Sequence, residues 1–405
     1  MIKIGIIRET KLKTDSRAAL TPEDVAYLQS IYNGKIKIYV QPSDIRAFTD
    51  EEYRNAGAFI TNNMNECDYL FGIKEALPAS LIPNKHYFFF GHIREDKPYN
   101  IPLLREMVNK NVTFSDYEIF GTGYDRLTAF SYYAGIVGAY NTIRLYGIKN
   151  KCYLLEAPGY HFSVDKLMRN IEEISKILIA KKAKFVITGN GVASAGAKTA
   201  LSATGLKFVN TEEFIKTSNP SYTIAKTRDT VRNKDGNISY QRSHYYDYPE
   251  CYESDFVKFS NNADALIACH SWEPNQPILF GNKEILSDSR RMNVIGDVVC
   301  DINGSLRTTI RHSSHSAPFY DVHPVSLSEI PSALGNEKTI SVMAVDTLPN
   351  ALPRESSIAF SKDLTRFVIM NCIMSNDNVG KIRNATIVKN GKITEKFNGL
   401  NNLLH

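Results

Sequence analysis

The chain has 405 residues, 43% of them hydrophobic and 22% charged, a globular composition that excludes disorder as the main state. Lysine and arginine total 48 against 43 acidic residues, and a net charge of +5 spread over this length argues against a dedicated nucleic-acid binder, which gathers its basic residues into a stripe. None of the six cysteines forms a CxxC pair, which speaks against a zinc site or a disulfide framework, and no apolar run approaches the roughly 20 residues of a membrane span. At roughly 150 residues per domain, the length fits two or three domains. The start, MIKIGIIRETK, reads as a strand followed by charge and lacks the parts of a secretory signal. The expectation is a cytoplasmic chain with reduced thiols and no membrane association.

Short apolar runs recur through the first third, at Ile2 to Ile7, Ile36 to Val40, Tyr69 to Ile73 and Tyr87 to Phe90. Between the first two, Thr21-Pro22-Glu23-Asp24 opens a helix: threonine caps it, proline suits its first position, and the acids suit the positive end of its dipole. Strands alternating with helices predict an α/β domain with a largely parallel sheet. From Arg126 to Tyr146 the pattern is helical, and small residues at Ala134, Gly135, Gly138 and Ala139 predict close packing on a neighbour. Ser163 to Lys182 reads as one long amphipathic helix capped by Ser163. Residues 217 to 253 are polar and rich in tyrosine, arginine and asparagine, and read as an irregular insertion, with a lid or an adenosine-side loop as one role for it. Apolar runs resume at Ala263 to Ala268, Asn293 to Val299 and Ile340 to Val345, and the end is a hairpin about an Asn390-Gly391 turn.

After the buried strand Lys184 to Thr188 comes Gly189-x-Gly191-x-x-Ser194, followed by a predicted helix. That context is what a dinucleotide fingerprint needs: one glycine for the tight turn, a second for backbone approach to pyrophosphate, and a small third residue for helix–strand packing. Serine keeps the third position small, and its hydroxyl can bond a phosphate. The alternative is an ordinary glycine turn. The acid expected roughly 20 residues on, for the ribose hydroxyls, would close the next strand, where Asn210 stands. Asparagine does not repel a 2′-phosphate, which favours NADP over NAD or tolerates both.

Lys74 and Glu75 follow one predicted strand and His92 follows another, so they fall beyond strand carboxyl ends, where α/β sheets bind ligands. A lysine and a histidine converging there suit acid–base work; the bland alternatives are a solvated loop lysine and a turn histidine. Arg17 stands at the mouth of the first loop, where it can hold a carboxylate, or serve as a surface charge. Glu118 ends another short strand and can pair with Lys74 or His92, or simply start a helix. Asp297 and Asp301 end a further buried strand; His312 and His315 nearby offer two metal ligands, but no third is signalled. Cys269-His270 is no nucleophile pair, because neighbours in a strand face opposite sides.

These residues stand in the order of a known family. The chain resembles the alanine dehydrogenase and transhydrogenase superfamily, particularly its saccharopine-forming branch, and is most like the lysine–ketoglutarate reductase half of the bifunctional aminoadipic semialdehyde synthase. The likeness runs through Gln41-Pro-Ser43, Gly72-Ile-Lys74, Phe89-Phe-Gly-His92, Asp116-Tyr-Glu118, Ala129-Phe130, Ala134-Gly135, Thr188-Gly-Asn-Gly191, Trp272-Glu273, Asp297 to Gly304 and Asp346-Thr-Leu-Pro349. The resemblance implies that Lys74 and His92 are an acid–base pair tuned by Glu118 and Glu75. It implies that Arg17, with Glu75, faces the substrate, and that Gly189, Gly191 and Ser194 form the cofactor loop. Asp301, Asp346, Leu348 and Pro349 would lie in segments that approach the nicotinamide. Two positions depart from the pattern: Glu75 is acidic, as in the fungal enzymes but not in the synthase half, and Asn210 stands where members usually carry an acid. The partner dehydrogenase half is absent, which implies a single-function chain.

The resulting expectation is an α/β protein with two Rossmann-like domains and an active site in the cleft between them. Residues 1–128 plus 350–405 would form the substrate-side domain and 129–349 the dinucleotide-binding domain. The expected activity is NAD(P)-dependent joining of lysine and 2-oxoglutarate to saccharopine through an imine, or the reverse, without a metal, in a chain that tolerates a homodimer. The alternatives are another amino-acid or opine dehydrogenase of the superfamily, and a non-catalytic descendant that senses a dinucleotide.

Overall fold

The computed structural model describes residues 1–12, 14–94, 98–121, 127, 129–331, 334–336, 338–377 and 380–404. It divides into two compact units, Met1–Phe130 with Pro353–His405, and Ser131–Leu352. The expected domain junction at Thr128 and the expected helix start at Arg126 lie outside the described residues.

The first unit begins β1 (Ile2–Ile6), α1 (Pro22–Ile31), β2 (Ile36–Val40), α2 (Asp50–Asn55), β3 (Phe59–Ile60), β4 (Tyr69–Lys74), β5 (His86–Phe90), α3 (Ile101–Asn109) and β6 (Thr113–Asp116). Thr21 caps α1 by accepting the Asp24 N–H at 3.4 Å, with Pro22 at the first helical position.

The second unit takes most of α4 (Ala129–Lys149), then α5 (Val164–Glu173), α6 (Ser175–Ala180), β7 (Lys184–Thr188), α7 (Val192–Ser202), β8 (Lys207–Phe208), α8 (Thr211–Lys216) and β9 (Ser221–Ala225). It continues with α9 (Thr227–Thr230), β10 (Val231–Asn233), α10 (Arg242–Asp247), β11 (Tyr252–Ser254), α11 (Val257–Ser260), β12 (Ala265–Ala268), α12 (Asn282–Ile285), β13 (Val294–Asp297), β14 (Phe319–Val322), β15 (Glu329–Ile330) and β16 (Ile340–Met343). The helix expected over 163–182 is broken at Ile174, whose ψ of 2° leaves the helical region. The chain then returns to the first unit with α13 (Pro353–Leu364), a π turn, α14 (Met370–Met374), α15 (Lys381–Ala385), β17 (Thr386–Lys389) and β18 (Lys392–Ile393). Ser357 and Ser361 on α13 accept the backbone N–H groups of Ala18 and Thr21 at 2.9 Å, and Phe360 stacks on Phe130 at 4.5 Å. These contacts fasten the returning helix beside the first loop.

Among the described residues, each unit holds an eight-stranded sheet. In the first, the order β18-β17-β6-β5-β4-β1-β2-β3 contains six parallel strands in the doubly wound sequence 3-2-1-4-5-6, with an antiparallel hairpin at one edge. In the second, β15-β14-β16-β13-β12-β7-β9-β8, the second and third parallel strands have changed places, so β9 and not β8 lies against β7. This corrects the reading of 217–253 as an insertion. Ser221–Ala225 is a core strand, and two of its hydroxyls find carbonyls: Thr223 donates to that of Val209, 14 residues earlier, at 2.8 Å and Ser221 to that of Asn219 at 3.1 Å. The rest of the segment carries most of the small β10–β11 ladder, whose Tyr252 clusters with Tyr240 and Tyr245.

Helices α4 and α7 cross at glycines. A Cβ added to Gly135 would lie 1.9 Å from the Ala193 carbonyl oxygen, and one added to Gly196 would lie 2.0 Å from that of Tyr132. Gly196→Ala in an open helix stabilises by about 1 kcal/mol. Here the sign reverses, and the substitution is expected to cost about 1–3 kcal/mol in urea unfolding, whereas Ala195→Val on the exposed face changes stability by less than about 1 kcal/mol.

Candidate active site

The six parallel strands of the first sheet open their carboxyl ends on one edge, and the predicted site residues stand along it. Lys74 closes β4 opposite Phe90 of β5, and His92 follows two residues later. His92 occupies the left-handed region at φ 47°, a conformation costing a side-chain-bearing residue about 1–3 kcal/mol. Its Nδ1 lies 2.6 Å from Glu118 Oε1, both side chains being partly exposed. Of the two partners open to Glu118, the structure selects His92. No hydrogen bond or ion pair involves the Lys74 ammonium among the described residues.

Two carboxylates that the sequence reading did not assign hold this edge. Glu9, just past β1, accepts the backbone N–H groups of Ile73 and Lys74 at 2.7 and 2.8 Å. Burial, and then the charge of Asp15, push its carboxyl well above the ordinary value against the pull of those two N–H groups. Asp116, at the end of β6, accepts from the N–H groups of Gly91, at 3.2 Å, and Glu118, at 2.9 Å. Burial, and then the charge of Glu118, raise its pKa to about 7. Each carboxylate therefore fixes the backbone beside a candidate acid–base residue. Their signal was the strand-end position that singled out Lys74.

Arg17 is not the surface charge of the alternative reading. It is buried, held by Asp15 through Nε at 2.9 Å and a terminal nitrogen at 2.6 Å, and stacked on Phe130 at 4.6 Å. Burial pushes the Asp15 carboxyl up, but the Arg17 guanidinium outweighs it and holds the group below its ordinary value. Glu75 is also buried; its Oε1 meets the Lys11 ammonium and the Asn100 amide, the latter at 3.2 Å. The same Asn100 nitrogen donates to the Gly91 carbonyl at 2.6 Å, which links Glu75 to the turn that carries His92. Oε2 of Glu75 is buried without a hydrogen-bond partner among the described residues. Lys11 and Asn100 are the further members of this cluster that the sequence reading missed.

In the second unit, β7 runs into Gly189 at φ 86°, where any side chain would be strained and a Cβ would meet the Cys269 carbonyl oxygen at 2.7 Å. Gly191 caps the 11-residue α7, and a Cβ there would meet nothing within 4 Å. The first intrahelical bond is Ala195 N–H to Gly191 carbonyl, so the preceding N–H groups of α7 point outward. A tight turn, an open approach at Gly191 and outward N–H donors fit a pyrophosphate. Ser194 is buried in the first turn of α7, as a small packing residue should be. Beside the turn, His270 bridges the hydroxyls of Thr188, at 2.7 Å, and Ser305, at 2.9 Å, and burial pushes its pKa down to about 4.

Asn210 is not brought to this turn. It follows β8, at the sheet edge, and its side chain caps α8 by accepting the Glu213 N–H at 2.9 Å. Asp301 is half-buried past β13, and Asp346 is exposed past β16. Leu348 and Pro349 are buried in the following 3₁₀ turn, Leu348 within the core that includes α4. His312 and His315 each spend a ring nitrogen on a backbone carbonyl, of Cys300 and Thr347 respectively, both at 2.9 Å.

The raised pKa of Asp116 has a stability consequence. Unfolded, the group titrates near about 3.9; folded, it titrates near about 7. The native state therefore holds the extra proton between these values, and the contribution of Asp116 falls as pH rises from about 4 to about 7. In urea unfolding across that range, wild type is expected to lose stability relative to Asp116→Asn and to run parallel to it above. A gain over the same window contradicts the assignment.

The alanine dehydrogenase/PNT N-terminal domain family matches residues 5–137. Alpha-aminoadipic semialdehyde synthase of Arabidopsis thaliana is 28% identical over 97% of this chain and 41% of its own length. Saccharopine dehydrogenase (NAD(+), L-lysine-forming) of Candida glabrata is 28% identical over 88% of each chain. The chain spans less than half the length of the synthases it matches. A solved L-alanine dehydrogenase superposes with a TM-score of 0.66 over 100% of both chains at 18% identity, a likeness of fold. No helix among the described residues is long and apolar enough to cross a membrane. With its two Rossmann-like sheets, the chain is similar in its first third to the alanine dehydrogenase/PNT N-terminal domain family and, over most of its length, to alpha-aminoadipic semialdehyde synthase and saccharopine dehydrogenase.

Proposed function

We propose that the chain is an NAD(P)-dependent oxidoreductase that joins lysine and 2-oxoglutarate to saccharopine through an imine, or cleaves saccharopine in reverse. The observation that carries the reading is the edge of the first sheet, where Lys74 and the His92–Glu118 pair stand on adjacent strands, with 2.6 Å between imidazole and carboxylate. The names of the relatives in both groups, synthase and saccharopine dehydrogenase, support the substrate.

Condensing an amine with a 2-oxo acid moves protons at two atoms. The attacking nitrogen must lose one, and the carbonyl oxygen must gain protons to leave as water. In this reading Lys74 exchanges protons at the nitrogen and His92 delivers them to the oxygen. Glu118 engages Nδ1, so that Nε2 is the nitrogen presented to substrate, and supports the imidazolium when it forms. Glu9 and Asp116 act on backbone and so keep the two groups at a constant spacing. Arg17, already oriented by Asp15, meets a substrate carboxylate, and the buried Glu75 cluster sets the polarity at the other side of His92. When bound, a nicotinamide dinucleotide gives or takes the hydride at the substrate carbon. Gly189, Gly191 and Ser194 with the first turn of α7 would hold its pyrophosphate, and Asp301, Asp346, Leu348 and Pro349 would lie toward its nicotinamide.

The test follows nicotinamide absorbance with lysine plus 2-oxoglutarate and each reduced dinucleotide, and with saccharopine and each oxidised one. Turnover of at least one combination is expected; a folded protein that turns over none overturns the assignment, and activity only with other amino-acid and 2-oxo-acid pairs moves it within the superfamily. Lys74→Met and His92→Gln are each expected to lower turnover by about 100-fold or more while dinucleotide affinity, measured by calorimetry, stays at the wild-type value.

A further inference from the structure

The exchange of strands in the second sheet relocates the position that reads the adenosine ribose. In a doubly wound sheet that position closes the strand hydrogen-bonded to the glycine-turn strand, because only there does a side chain reach the ribose attached to a pyrophosphate at the turn. The neighbour of β7 is β9, in register from Lys184 opposite Ser221 to Thr188 opposite Ala225. The Gly189 N–H donates to the Ala225 carbonyl at 2.9 Å, so the residue directly beside the turn is Lys226. Lys226 is exposed, and Arg228, two residues on, is exposed in the first turn of α9. The acid of this turn, Asp229, is partly exposed and already engaged: it accepts the Lys226 backbone N–H at 2.8 Å and lies 3.9 Å from Arg228 Nε.

Exposed lysines and arginines are ordinary surface residues. What distinguishes these two is their place, one and three residues past the end of β9, the strand paired with β7 on that side. A carboxylate there would accept the ribose 2′-hydroxyl and repel a 2′-phosphate; an ammonium and a guanidinium do the reverse, and a guanidinium forks naturally onto phosphate oxygens. We infer that Lys226 and Arg228 bind the 2′-phosphate of an adenine dinucleotide and make this chain selective for NADP(H) over NAD(H). The inference rests on the dinucleotide reading of the glycine turn and deepens it by naming the residues that choose between the two cofactors.

The experiment is calorimetric titration of the full chain with NADPH and with NADH, without substrate, for wild type and for Lys226→Ala/Arg228→Ala, with the melting temperature of each as a control for folding. Wild type is expected to bind NADPH at least about tenfold more tightly than NADH. The double substitution is expected to weaken NADPH by about ten- to a hundredfold, the size of one or two lost charge-assisted contacts, and to leave NADH and the melting temperature unchanged. As a second probe, 2′,5′-ADP is expected to bind wild type and not the variant. Equal losses for NADPH and NADH, an unchanged NADPH affinity, or wild-type preference for NADH overturns the inference alone. Binding of neither dinucleotide to folded wild type overturns the reading of the glycine turn as well.

Discussion

Parallel strands cannot be joined by a tight hairpin; each return crosses a face of the sheet, so every carboxyl end opens on the same edge. That constraint gathers the chemistry of this chain. In the first sheet it lines up Glu9, Lys74, the turn of His92, and Asp116 with Glu118, residues spread over more than a hundred positions of sequence. In the second it brings Gly189, Lys226, His270 and Asp297 to the ends of four neighbouring strands.

One device recurs along both edges. A largely buried carboxylate at or just past a strand end accepts backbone N–H groups of a neighbouring strand end or the turn after it: Glu9 those of Ile73 and Lys74, Asp116 those of Gly91 and Glu118, and Asp297 those of Val299 and Cys300, with the Thr309 hydroxyl in addition. Turns at the end of a strand leave N–H groups that the ladder cannot satisfy, and a carboxylate offers enough acceptor sites to take several at once. Burial raises the pKa of all three, Asp297 to about 6, which records the cost of removing each from water against the hydrogen bonds that offset it. The rigidity gained this way is what a side chain such as His92, held at positive φ, requires.

Much of the fold was legible because its signals act within one turn. Thr21-Pro22 marks a helix start by a contact three residues long, Asn390-Gly391 closes the last hairpin with both residues at positive φ, and Gly189 declares a turn that other residues resist. The glycine-rich helix was also readable as a close-packing face, although its partner on α7, Gly196, was not. Ser221–Ala225 escaped because three of its five side chains carry hydroxyls, and the carbonyls that take those of Ser221 and Thr223 belong to the preceding turn and to another segment. Arg17 escaped in part as well: its burial depends on Phe130, far along the chain, while its ion partner Asp15 stands only two residues away.

The amino-acid sequence by itself determined the class of fold, the glycine turn after β7, and the strand-end positions of Lys74, His92 and Glu118, because each follows from local periodicity or from turn chemistry. Tertiary structure alone decided which strand lies against β7, which partner Glu118 takes, and which carboxylates clamp the carboxyl edge of the first sheet. Strand order is set by backbone hydrogen bonds between segments remote in sequence, and those bonds carry no side-chain signature. Counting roughly 20 residues from the glycine turn therefore led to Asn210, a helix cap at the sheet edge, whereas the paired backbone leads to Lys226.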